Sequence, residues 1–204
     1  MEIKKKKIAD KIYLLRFAKQ RDLTLTFVRI EAYYESPEFK GKIFTIGQFK
    51  KWYTKENKGK FTYYQDWTGF NVPSKVLKPF RKGYFDPLSE QEEKLLKIFK
   101  KEKGEFYIIA VYGKKNFRTL KHEIAHALFH TNKSYKEKVT KIIKRYKTGK
   151  IKRDLLASHG YNKKVLIDEI QAYCVAYEKV LNANFPKKMR EQVQEIFERY
   201  YQIK

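Results

Sequence analysis

Apolar residues at positions 8, 12, 15 and 18 (Ile8, Ile12, Leu15, Ala18) recur at helical spacing in an otherwise basic stretch, which predicts a helix over the first twenty residues. The next segment, LTLTFVRI (23–30), alternates and is rich in β-branched residues, and so predicts a strand. A Ser36-Pro37 turn follows, then IFTIGQFKKWY (43–53), read as a short strand running into a helix around Phe49 and Trp52. Residues 58–86 carry eight aromatics with no period, punctuated by Gly69, Pro73 and Gly83, and predict an irregular segment. Ser89 and Glu92 have capping-box spacing ahead of a helix bearing Leu95, Leu96, Ile98 and Phe99, with Gly104 as its stop. FYIIAVY (106–112) reads as a buried strand and GKKN as the turn after it. Beyond that turn the pattern is helical almost throughout, with breaks near Thr131-Asn132, Gly149, His159-Gly160 and Pro186. Strands early and helices late make an α+β chain with a mostly helical C-terminal half.

The length of 204 residues predicts a single domain over 1–204. With 42% hydrophobic and 16% aromatic residues the chain has material for a core, while 34% charged residues and a mean hydropathy of −0.72 leave a polar exterior. No apolar run approaches the ~20 residues of a membrane helix. The basic N-terminal stretch is interrupted at Arg16 and lacks a small-residue cleavage site, so no signal peptide is expected. The only cysteine, Cys174, excludes an internal disulfide framework and a cysteine-based zinc finger, and its surroundings predict an inert core thiol. A reducing, cytoplasmic location is the expectation. The 47 Lys+Arg against 23 Asp+Glu give a net charge of +24, a field that attracts acidic partners. The basic residues are scattered from 4–7 to 187–188, which favours a solvated surface over a nucleic-acid groove. A nucleic-acid-associated protein, with the 61–85 aromatics as stacking groups, stays as the alternative; otherwise those aromatics form an N-terminal core.

Residues 122–126 read His-Glu-Ile-Ala-His. On a helix, His122 and His126 project from one face one turn apart, in reach of one metal ion, and Glu123 lies roughly 100° round, where a base for a metal-bound water belongs. Leu120, Ile124, Ala127, Leu128 and Phe129 supply an apolar face, and Asn116 is a candidate cap. With 4 histidines in 204 residues, such a pattern arises by chance in about one such sequence in 150, so coincidence is a weak rival. A pair of satisfied core histidines is the remaining one.

A zinc site needs a third protein ligand. The HExxHxxGxxH arrangement is excluded, because Asn132 stands at its third histidine and Phe129 at its glycine. His130, eight residues after His122, lies about 12 Å along a continuous helix, too far to share the ion; it reads as a helix-end histidine or a substrate contact. Glu169 is the better ligand. Its segment, VLIDEIQAYCVAYEKVL (165–181), is apolar on almost every side and therefore buried, and a buried carboxylate must be paired or metal-bound. A lysine partner is the alternative. Asp168 and Glu169 are adjacent, so one is expected to face the site and the other solvent. Ala172 is small enough to let this helix approach the first closely.

HEIAH followed 47 residues later by an E-x-x-A glutamate helix resembles the gluzincin branch of the zincin metallopeptidases, which includes thermolysin-like enzymes, minigluzincins and the anthrax lethal factor protease domain. HEIAHALFH and DEIQAYCVAY are also similar to the ImmA/IrrE peptidases. The resemblance spans about 106–183; residues 1–104 are unrecognised, and 186–204 reads as a C-terminal helix. It implies a small twisted sheet packed on the HExxH helix and a glutamate helix, with FYIIAVY as the substrate-holding edge strand or its neighbour. It further implies one Zn2+ held by His122, His126 and Glu169, and Glu123 as the base. Tyr161, eight residues before Glu169, stands where several such enzymes place an oxyanion-stabilising tyrosine; an ordinary packing role is the alternative, and His159 is a second candidate. Thermolysin-like enzymes carry an aspartate four after the glutamate, where this chain has Tyr173, a candidate hydrogen-bond partner for a ligand histidine. The expected activity is hydrolysis of peptide bonds in a peptide or protein, acidic by charge complementarity. A zincin fold used only for binding is the other reading. Substrate, oligomeric state and a latent form covered by the C-terminal helix or the 58–86 segment stay open.

Overall fold

Within Ile12–Phe17 (β2) and Tyr107–Tyr112 (β4), residues 12–15 and 107–111 are continuously apolar and buried because the two strands lie side by side, in parallel, at the centre of a sheet. The structure is a computed structural model that describes residues 1–113, 117–159, 165–176 and 185–201. Ile3–Ala9 (β1) pairs antiparallel with β2, and Gly69–Pro73 (β3) pairs antiparallel with β4, giving the order β1-β2-β4-β3. By its contacts the chain forms two compact units, Met1–Lys114 and Lys115–Lys204.

The first unit packs Gln20–Glu35 (α1) across the sheet. Leu23, Phe27 and Ile30 form a fully buried stripe that meets Leu15, Phe17, Phe70, Val72 and Ile108 in one core. Ile46–Glu56 (α2), the short Tyr63–Asp66 (α3), a 3-10 turn at Ser74–Leu77, the short Lys78–Arg81 (α4) and Glu90–Ile98 (α5) complete it. Most of the aromatic segment is core: Tyr63, Phe70, Phe80 and Phe85 are buried, and Phe61 and Tyr64 pack against them. Only Trp67 and Tyr84 among those eight stand exposed. The capping box of α5 is present in both halves, Ser89 N–H donating to Glu92 Oε2 (2.8 Å) and Glu92 N–H to Ser89 Oγ (3.2 Å).

Several expectations for this unit are corrected. The first twenty residues are a hairpin, closed at Asp10-Lys11 with Lys11 at φ 59; of the apparent helical stripe, Ile8 lies in β1, Ile12 and Leu15 in the buried β2, and Ala18 is exposed beyond β2. Residues 23–30 are helical. Thr24 and Thr26 are buried with their hydroxyls donating to the carbonyls of Gln20 (3.1 Å) and Asp22 (2.6 Å) four residues back, so tertiary burial overrides their strand preference. Residues 43–45 are an extended lead into α2, with Thr45 as its cap, and not a strand. The segment 58–86 holds the strand β3. Helix α5 ends at Ile98, before Gly104. Of the two places expected for FYIIAVY, edge strand or the neighbour of one, the structure has the second: β4 lies between β2 and the edge strand β3.

The second unit, among the described residues, is helical: Phe117–Thr131 (α6), Lys133–Lys144 (α7), Gly149–His159 (α8), Leu166–Ala176 (α9) and Lys187–Tyr200 (α10). The breaks fall where the sequence places them. Asn132 caps α7, its side chain accepting from Tyr135 N–H (3.0 Å), and Pro186 precedes α10. Helix α9 is buried from Asp168 to Ala176 and packs against α6, α7, α8 and α10. Fully buried Ala125 and Ala127 on α6 and Ala172 on α9 leave room for close packing of those two helices. No helix among the described residues is long and apolar enough to cross a membrane.

Candidate metal centre

Helices α6 and α9 bring His122, His126 and Glu169 together, each offering one ligand atom within 4.8 Å of the others. His122 and His126 stand one turn apart on α6, with ring centroids 4.7 Å apart. Their Nε2 atoms face each other at 3.0 Å, and Glu169 Oε2 lies 3.9 Å from the first and 3.8 Å from the second. A point equidistant from those three atoms is about 2.1 Å from each, the bond length zinc makes to imidazole and carboxylate. Two imidazole nitrogens and one carboxylate oxygen are a zinc-type donor set that leaves a fourth position for water. The residues present therefore fit a zinc ion. Two lone pairs aimed at each other across 3.0 Å would repel, so the space between the rings requires a proton or a cation.

Asp168 is the partner that orients His126. Its Oδ1 lies 2.9 Å from His126 Nδ1, so that proton points at the carboxylate and Nε2 is left for the cluster. Its Oδ2 is 3.1 Å from His130 Nε2. Burial alone would push the Asp168 carboxyl up, but the His126 and His130 imidazoles outweigh it and hold the group well below the usual carboxylate range. Burial alone would lower His126, yet Asp168, Glu169 and Glu123 together raise it well above the ordinary histidine value. His122 is driven down by burial and by the charge on His126. Its Nδ1 is buried without a hydrogen-bond partner among the described residues, and the Tyr173 ring packs against its imidazole at 4.8 Å.

The structure thus assembles His122, His126 and Glu169 and leaves Glu123 outside the ligand triangle, half-buried and close enough for its charge to act on His126. His130 is likewise outside the triangle. The expectation that one of Asp168 and Glu169 faces solvent is corrected: both are buried, at 7% and 8% exposure, because α9 has neighbours on every side. Tyr173 meets His122 by its ring. Asn116, Tyr161 and the His159 side chain lie outside the described residues. Cys174 is a buried free thiol whose pKa is pushed up to about 12 by burial, as a core thiol requires. The sequence weighs Asp168 only as the alternative to Glu169 and gives Gln171 no place in the cluster, whereas the structure sets both beside it. The signal was there, since a helix apolar on every side makes each of its polar residues need a partner, not Glu169 alone. No family model, curated protein or solved structure matches the chain.

Proposed function

We propose that the protein is a zinc-dependent peptidase in which His122, His126 and Glu169 hold one zinc ion and Glu123 is the general base. The observation that carries this reading is the convergence of two Nε2 atoms and one carboxylate oxygen on a point at zinc-bonding distance. Zinc in such a site supplies Lewis acidity and brings the pKa of water toward ~7. Glu123, next to a ligand on the same helix, takes the proton from the attacking water and returns it to the leaving amine. Asp168 fixes the His126 ring so that its Nε2 faces the ion throughout. Tyr161 is proposed as the oxyanion donor on its sequence position alone. The +24 charge supports an acidic peptide or protein as substrate.

The test is hydrolysis of a mixed peptide library by zinc-loaded protein, read by mass spectrometry. Cleavage that stops on chelation, returns with zinc, and falls by about 100-fold or more in Glu123→Gln with zinc retained supports the reading. A zinc-loaded chain that cleaves nothing in the library, or a Glu123→Gln variant as active as the parent, overturns it.

A further inference from the structure

We infer that Gln171 and His130 are positioning residues of the metal centre, acting through Asp168 to hold His126 in the tautomer that presents Nε2 to the metal. The inference rests on the metal-binding half of the proposed function and is independent of peptide hydrolysis.

Three donors converge on one buried carboxylate. His126 Nδ1 (2.9 Å) and Gln171 Nε2 (3.0 Å) meet Oδ1, and His130 Nε2 (3.1 Å) meets Oδ2. With both oxygens engaged, the carboxylate has a fixed plane, and the His126 ring that donates to it has a fixed direction. Gln171 is itself held: Tyr135 donates its hydroxyl to Gln171 Oε1 at 2.6 Å. Reversing the amide would aim its oxygen at the Asp168 carboxylate, acceptor against acceptor, so only one orientation satisfies the group. Tyr135 and Gln171 are both fully buried. An amide left without partners there would lose its hydration with nothing in exchange, so a polar residue at 171 is explained by what it holds and not by packing.

The relay joins three helices at Asp168. Tyr135 comes from α7, whose start is pinned by Asn132; Gln171 and Asp168 sit three residues apart on α9; His126 and His130 sit one turn apart on α6. His122 has no matching support, since its Nδ1 lacks a hydrogen-bond partner among the described residues. The centre therefore has one imidazole locked by a hydrogen-bond chain and one held by packing.

The experiment measures the zinc Kd of the full chain by competition with a chromophoric chelator, under conditions where circular dichroism shows each variant folded. Gln171→Met and His130→Ala are each expected to weaken zinc binding by about tenfold or more. The Tyr135→Phe/Gln171→Met double variant should bind no more weakly than Gln171→Met alone, because both substitutions cut one chain of contacts. Long-range nitrogen–proton spectra of the zinc-loaded parent should show His126 protonated on Nδ1, with that signature lost or shifted in Gln171→Met. A folded Gln171→Met with a parental Kd and an unchanged His126 signature overturns the inference. If Gln171→Met does not fold, Tyr135→Phe and exposed His130→Ala decide it, and unchanged Kd values in both overturn it. A parent chain that binds no zinc removes the metal-centre reading as well. Tight binding without hydrolysis removes only the peptidase reading.

Discussion

His122 and His126 differ only by one helical turn, yet they sit in opposite electrostatic surroundings. Three carboxylates, Asp168, Glu169 and Glu123, favour a charged His126, while burial and that neighbouring charge keep His122 neutral. With those charges, their 3.0 Å contact is a donor, His126 Nε2, facing an acceptor, His122 Nε2. Because the folded-state pKa of His126 is raised, its proton is still bound at neutral pH and metal must displace it. Zinc affinity is predicted to rise with pH through the neutral range by about tenfold per unit, with about one proton released. Calorimetry in two buffers of different ionisation enthalpy checks this; equal binding enthalpies in both would contradict it. The spacing of the histidines and the apolar pattern of the 165–181 segment made the cluster of His122, His126 and Glu169 legible in the sequence. The hydrogen bonds of Asp168, Gln171 and Tyr135 were not, because they depend on how three helices turn their faces at one point, which no one-dimensional pattern encodes.

Among the elements, helices with caps and turns of standard chemistry were readable, as α5 and the breaks of the C-terminal half show. Strand β2 and helix α1 were exchanged in type, since a strand buried on both faces loses its alternation and buried threonines bonded to their own helix lose their strand preference. The burial of β4 was legible in its apolar run, but its partners β2 and β3 were not, as they come from distant parts of the chain. Helix α1 also carries Arg29, which ties the first unit together. Its guanidinium donates to Glu92 on α5 (Nε to Oε1 2.7 Å, and Nη2 to Oε2) and to the carbonyl of Phe85 at 2.9 Å. Glu92 also closes the capping box of α5 by accepting from Ser89 N–H, and both the Arg29 and Glu92 side chains are buried. Arg29→Met is predicted to destabilise the protein by about 3–5 kcal/mol, measured by urea unfolding, because it strands the Glu92 charge; a loss below about 1 kcal/mol would contradict the assignment. In the second unit, α10 buries Met189, Val193 and Phe197 against α7 and α9. Those residues make the helix part of the core of that unit. Truncation before Pro186 is predicted to abolish cooperative folding of that unit in thermal melts followed by circular dichroism. A truncated chain with parental unfolding would contradict that packing role.

At the scale of the molecule the dominant property is the charge of +24, spread over a chain whose aromatic segment is mostly spent on its own core. Electrostatic attraction of that kind is long-range and screened by salt. For peptides flanked by acidic residues, kcat/KM is predicted to fall by about tenfold between roughly 50 mM and 500 mM salt, while a neutral peptide of the same cleavage sequence changes by less than about twofold. Equal salt responses would remove charge from the account of substrate choice. The claim beneath all the others is that His122, His126 and Glu169 hold one zinc ion. Elemental analysis after zinc loading and desalting tests it most directly. About one zinc per chain is expected in the parent and in Glu123→Gln, and a loss of most of it in His126→Ala and in Glu169→Ala. A parent that emerges without zinc, or a Glu169→Ala variant that keeps its full complement, would contradict it.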